Sequence, residues 1–194
     1  IQLIEFDSTT NPAFPRQEYE RMKGILPRWL FSMRYQGRYS DKPAGMVYSS
    51  FDTAASVVKR FPITQRHLVH VGHDFGLNNV AAVFYAQDPD TGEFFLFDHY
   101  LPDGGKSEAQ RVEAFKEKTK GLNVIKRIGG NHQEEEIRQG YTAHGWAITE
   151  PTVKGVAEQI SRVFGMHSHN KIKVFSDQAE YLDEKQSLSY ELNK

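Results

Sequence analysis

Residues 67–100 read HLVHVGHDFGLNNVAAVFYAQDPDTGEFFLFDHY, and the fold turns on them. His67, Val69, Val71 and His73 alternate with Leu68, His70, Gly72 and Asp74. That period of two is the signature of a strand. Gly76, Asn78 and Asn79 then supply a turn. NVAAVFYAQ (79–87) suits a pleated surface, DPDTG (88–92) is turn chemistry, and EFFLFDHY (93–100) returns antiparallel. The stretch therefore predicts a three-stranded meander whose first strand ends on an aspartate. A buried, unpaired carboxylate costs several kcal/mol, so Asp74 must either cap a turn or hold a cation.

Outside this stretch, 194 residues with 39% hydrophobic content are enough for one sizeable core, without a repeat or a low-complexity linker. No run approaches the roughly 18 apolar residues of a membrane span, and IQLIEFDSTTNP (1–12) lacks the pattern of a signal peptide, so a soluble chain with no membrane partner is expected. The absence of cysteine excludes disulfides, thiolate nucleophiles and cysteine-held zinc. Any metal must then sit on oxygen or imidazole, which favours hard cations such as magnesium or manganese. The net charge of −1 hides a basic, aromatic stretch in which Arg16, Arg21, Lys23, Arg28, Arg34, Arg38 and Lys42 outnumber Glu18, Glu20 and Asp41. A solvated helix face accounts for it more readily than DNA contact does.

Along the chain, FPRQEYERMKGIL (14–26) and RWLFSMRYQG (28–37) read as helical pieces separated by Pro27, and KPAGMVYSSFDTAASVVKRFPI (42–63) as strand or extended chain. Together they form a lead-in, residues 1–66, packed on a core spanning 67–194. In GKSEAQRVEAFKEKTKG (105–121), Ser107 and Gln110 predict a capping box, Ala109, Val112 and Phe115 an apolar stripe, and Gly121 a stop. NVIKRIGG (123–130) is a fourth strand, and EEEIRQGYTAHG (134–145) a helix with Ile137, Tyr141 and His144 on one face. WAITEP (146–151) is a short fifth strand, and GVAEQISRVFGM (155–166) a helix burying Val156, Ile160, Val163 and Phe164. KIKVFS (171–176) and DQAEYLDEKQSLSYEL (177–192) close with strand and helix. A meander followed by βα units gives an α/β mixed sheet with helices on both faces, the layout of the ribonuclease H-like fold. There, the acid on the first strand meets one near the fourth.

Two cations about 4 Å apart, serving an in-line phosphoryl displacement, need carboxylates converging from different elements. Asp74 can be the bridging one. IGGNHQEEEIRQG (128–140) offers Glu134, Glu135 and Glu136 after two glycines that admit a backbone or ligand closely. Acids in a first helical turn also suit the helix dipole. Asp98 reads as structural, Asp177 as a weaker metal candidate, and His167 with His169 as a loop rather than a metal pair.

NPAFPRQEY (11–19), LPRWLFSMRYQGRYS (26–40), GMVYSSFD (45–52), VGHDFGLNN (71–79), IGGNHQEEEIRQGYTAHG (128–145) and VFSDQAEYLDEKQSLSYEL (174–192) together resemble the C-terminal nuclease domain of the large terminase subunit of tailed bacteriophages. The resemblance implies a metal-dependent endonuclease that cuts concatemeric double-stranded viral DNA with two divalent ions, magnesium or manganese. It implies metal-binding and catalytic roles for Asp74 and Glu134, with Glu135 the nearest rival to Glu134. The family's third acid, an aspartate on a C-terminal helix, is expected beyond Lys194, since SLSYELNK (187–194) closes the sequence before any such segment; the alternative is that Asp177 or Asp183 deputises. It further implies an ATPase motor domain, a small terminase subunit and a portal as partners, in the host cytoplasm during virus assembly. No GxxxxGK[ST] occurs, so the motor is expected to lie outside this chain. Such a nuclease needs phosphate contacts more than base readout, and Lys59, Arg60, Lys126 and Arg127 join the basic stretch as candidates. Two other readings remain open: an actin-like or sugar-kinase-like phosphate-binding lobe, for which HDFGLNN (73–79) would serve, and a non-catalytic module docking on DNA or capsid.

Overall fold

The computed structural model describes residues 7–25, 31, 35–37, 47–76, 80–101 and 104–188. Most of the second helical piece, the turn residues Asn78 and Asn79, and the basic residues Arg28, Arg34, Arg38 and Lys42 lie outside them.

The meander forms as expected. Strand β2 (Leu68–Phe75) pairs antiparallel with β3 (Val80–Gln87), and β3 with β4 (Phe94–Tyr100). Strand β5 (Asn123–Gly129) adds parallel to the free edge of β2. Strand β6 (Ile172–Phe175) adds parallel to β4, and β1 (Val57–Val58) completes the far edge against β6. The order is β1-β6-β4-β3-β2-β5, a mixed six-stranded sheet among the described residues. The expected strand in WAITEP is reduced to one parallel bridge, Ile128 to Thr149, beside β5. Pro151 has no N–H with which to extend the pairing. The segment 42–63 is less extended than expected: Asp52 caps a single helical turn, Thr53–Ser56, before β1.

Among the described residues, the longer helices are α1 (Arg16–Ile25), α2 (Glu108–Lys118), α3 (Glu135–Ala143), α4 (Val156–Ser168) and α5 (Ala179–Ser187). The α2 capping box forms, with the Gln110 N–H donating to Ser107 Oγ and the Ser107 N–H to Gln110 Oε1. Gly121 takes the left-handed conformation, φ +73°, that ends the segment.

On one face of the sheet, Val69, Val71 and Phe75 of β2 pack with Phe84, Val112, Phe115, Tyr141 and Trp146 under α2 and α3. Burying each large side chain here contributes roughly 1.5–3 kcal/mol. On the other face, Leu96, Val174 and Phe51 pack with Tyr181 and Leu182 of α5. Helices thus cover both faces. Two expected stripes are corrected. His144 is exposed because it caps the C-terminus of α3, and Arg138 is buried in that helix instead. Val156 is 68% exposed, and Ile160, Val163 and Phe164 are only half-buried, because the first turns of α4 border an open cleft rather than the sheet core.

Candidate functional site

Asp74 is the penultimate residue of β2, exposed on the face opposite the α2–α3 core. Among the described residues, no hydrogen bond or ion pair engages its carboxylate. Two residues earlier on the same face is Gly72. Beside it, β5 ends in Gly129 and Gly130, and these glycines make room for neighbours within the fold. A Cβ at Gly129 would stand 2.6 Å from the Cβ and carbonyl oxygen of His73; one at Gly130, whose φ is +72°, would stand 2.7 Å from the Phe75 ring. Ligand approach, allowed for at the sequence level, is not what these two positions accommodate.

Past the glycines, Asn131 caps a 3-10 turn, His132–Glu134, which leads into α3. The Asn131 side chain accepts from the Gln133 N–H at 2.8 Å, and the Asn131 N–H donates to Glu134 Oε2 at 2.6 Å. That box holds Glu134 half-buried at the cleft wall. Glu135 points its carboxylate elsewhere, pairing with Arg138 at 2.8 Å, and that hydrogen bond lowers its pKa. Arg138 is 3% exposed and also donates to the carbonyls of Asn131 (2.7 Å) and Gly129. Of the three consecutive glutamates, Glu134 alone lines the cleft.

The cleft, about 1170 Å³, is bounded by the ends of β2 and β5, the Asn131–Glu134 turn and the first turns of α4. A third acid lines it. Glu150, which follows the short WAIT run, has a side chain 27% exposed and meets Lys154 at 3.3 Å and His132 at 3.9 Å. Glu150 is not among the acids that sequence context singles out. The bridge of Thr149 beside β5 sets Glu150 at the cleft near His132, and the sequence offers only an acid closing a short apolar run.

Beneath Asp74, on the core side, the Trp146 indole N–H donates to His73 Nε2 at 3.1 Å. His73 is therefore neutral and carries its proton on Nδ1. Burial, reinforced by the charge of Arg127, pulls its pKa down to about 3. The Arg127 guanidinium lies 4.3 Å over the Trp146 ring.

The other candidates are dispersed. Arg127 pairs in register with Val71 on the core face, whereas Lys126 pairs with His70 on the face that carries Asp74. Lys126 stands four residues along from Asp74, roughly 13 Å. Arg60 and Lys59 follow β1 on the far edge, about 19 Å from β2 at ordinary strand spacing. Arg60 is paired there with Asp177 at 2.5 Å and donates to the Phe97 carbonyl. Asp177 follows β6, three strand spacings or about 14 Å from β2, which is too far to share an ion with Asp74. Asp183 lies exposed on α5, and Asp98 accepts from Lys118 at 2.7 Å. His167 is buried between Tyr48 and Phe51, while His169 is exposed with Nδ1 on the Gly165 carbonyl.

Asp74 and Glu134 offer oxygen donors of the kind hard cations take. Among the described residues, no three His, Asp or Glu side chains are grouped closely enough to hold a metal ion. The donor chemistry fits a divalent ion; a complete ligand cage does not form from these residues alone.

No known protein-family profile matches the chain, and no curated protein matches it. Solved structures do. The large terminase of a thermophilic bacteriophage superposes with a TM-score of 0.71 at 16% identity, over 96% of this chain and 47% of that one. The P22 large terminase nuclease domain gives 0.59 at 18% identity, over 74% of this chain and 78% of that one. This chain has the fold of the phage large-terminase nucleases. The large terminase nuclease of another thermophilic phage, G20c, solved with bound magnesium, gives 0.55 at 20% identity, over 78% of this chain and 84% of that one. The same nuclease was also solved with cobalt. The chain spans about half the length of the first of these terminases.

Proposed function

We propose that this chain is the metal-dependent endonuclease domain of a phage DNA-packaging terminase, cleaving double-stranded viral DNA with two divalent ions, magnesium or manganese. The observation that carries the proposal is Asp74: a solvent-facing carboxylate without a partner among the described residues, near the end of β2, an inner strand of a terminase-nuclease fold, lining one cleft with Glu134. A structural carboxylate at a strand end ordinarily caps a turn or pairs with a cation, as Asp98 does with Lys118. Bound ions would activate the attacking water and neutralise charge on the phosphate. Asp74 would hold them from β2, and Glu134, its orientation fixed by the Asn131 N–H, would hold them from the turn after β5. Lys126, on the same face, would contact backbone phosphate.

Residues 67–194 form the nuclease core in this reading, with residues 1–66 packed on it. DNA is the substrate, and the motor ATPase domain, small terminase subunit and portal are its partners in the host cytoplasm. Calorimetric titration with manganese tests the reading. Wild-type protein should bind manganese, and Asp74→Asn should lose that binding while keeping its melting temperature. Equal binding by both proteins would move the site elsewhere.

A further inference from the structure

The inner face of β2 beneath Asp74 carries a polar contact that packing alone does not require. His73 is only 8% exposed, and among its aromatic neighbours Phe75, Phe115 and Tyr141 an apolar ring would fill the same space. Instead, its Nε2 accepts the Trp146 indole N–H, at the cost of leaving Nδ1 buried without a partner among the described residues. Such a polar group in an apolar layer costs stability unless it specifies geometry.

The contact closes a short circuit around the candidate site. His73 is covalently next to Asp74 and pairs in register with Gly129, the last residue of β5. Gly129 donates its N–H to the Thr149 carbonyl at 3.1 Å, three residues after Trp146, and Asn131 and Glu134 follow Gly129 closely. Arg127, two residues before Gly129, lies over the face of the indole. Trp146 therefore touches β2 at His73 and β5 at Arg127, on the two strands that present Asp74 and the Glu134 turn.

We infer that the His73–Trp146 hydrogen bond is a positioning device that fixes the separation of the Asp74 and Glu134 carboxylates, so that both residues govern divalent-ion affinity without touching the ion. This rests on the reading of Asp74 and Glu134 as metal ligands. A shift of β2 against β5 at His73 would carry one carboxylate past the other, and partners that orient ligands are worth about ten- to a hundredfold in metal affinity.

The test combines amide hydrogen exchange, manganese calorimetry and plasmid cleavage on His73→Phe, Trp146→Phe and His73→Gln. In the two aromatic variants, exchange should quicken at residues 72–74 and 128–130 while α2 and α4 exchange as in wild type. Manganese affinity should fall about tenfold, and kcat should fall with KM for DNA within about twofold. Gln at position 73 offers a carbonyl oxygen to the indole and should restore affinity and kcat. Unchanged local exchange with normal metal binding would overturn the inference, as would losses that follow only the melting temperature and are not restored by His73→Gln. Wild-type protein that binds no manganese would instead overturn the reading of the site, and with it any role for these residues in metal affinity.

Discussion

His73 and Gly129 stand opposite each other at the ends of two parallel strands, and a methyl group added to Gly129 would come within 2.6 Å of both the Cβ and the carbonyl oxygen of His73. Real Cβ atoms do not approach backbone so closely, so Gly129→Ala must push β5 away from β2. The variant is expected to lose roughly 1–3 kcal/mol of stability and most of its metal-dependent cleavage. Urea denaturation and a plasmid assay measure the two effects. Wild-type behaviour in both would show that the strands can part there without consequence.

Glu134 and Glu135 are adjacent but differently employed, and their amide variants should separate the roles. Glu134→Gln should weaken manganese binding and leave stability nearly unchanged, because the exposed Asn131 N–H can still find an acceptor. Glu135→Gln should leave metal binding intact and lower the melting temperature, since Arg138 is 3% exposed and loses its anionic partner. Calorimetry and thermal melts on the pair read this directly. The reverse pattern would exchange the assignments.

Asp177 and Arg60 form an ion pair with half-exposed side chains on the far edge of the sheet. Asp177→Asn is expected to change stability by less than about 1 kcal/mol and to leave cleavage unaltered. A marked loss of cleavage without loss of stability would return Asp177 to the metal site.

The elements were more legible than their neighbours. Strict alternation disclosed β2, residues suited to a pleated surface disclosed β3, and the Ser107–Gln110 box and Gly121 marked both ends of α2, because period, composition and capping are local properties. Which edge of the sheet receives β6 is decided by long-range packing, and so Asp177 could not be excluded until two intervening strands separated it from β2. Lys126 and Arg127 face opposite sides of the sheet, as consecutive strand residues must, but which of them shares the Asp74 face follows only from the register of β5 on β2. Glu150 is one acid after a short apolar run, and only the bridge beside β5 brings it into the cleft. The His73–Trp146 bond joins residues 73 apart and leaves no local pattern.

Two buried bases away from the cleft set an expected pH profile. Burial, with a smaller contribution from the Lys185 charge, pulls His167 down to about 3 from its ordinary 6.5. Burial also brings Lys185, whose Nζ lies 3.8 Å over the Tyr48 ring, down to about 7 from 10.5. The unfolded chain protonates His167 below about pH 6.5 while the folded chain resists, so stability should fall from there toward pH 3, by on the order of a few kcal/mol. His73 adds to the same limb. Lys185 acts in the alkaline window: the unfolded chain holds its proton between pH 7 and 10.5 and the folded chain does not, so stability should rise with pH there. Melting curves of His167→Leu and Lys185→Met should flatten the acid and alkaline limbs respectively. Unaltered limbs would show that these groups are not the ones titrating.

The role of Asp74 is tested most directly by cleavage of supercoiled plasmid, comparing wild type with Asp74→Asn in manganese, in magnesium and in excess chelator. Wild type should nick or linearise the DNA only when a divalent ion is present, and Asp74→Asn should be inactive throughout while melting as wild type does, because the amide removes the charge that holds the ions. Equal cleavage by the two proteins, or cleavage by wild type that survives chelation, would contradict a metal-dependent site built on Asp74.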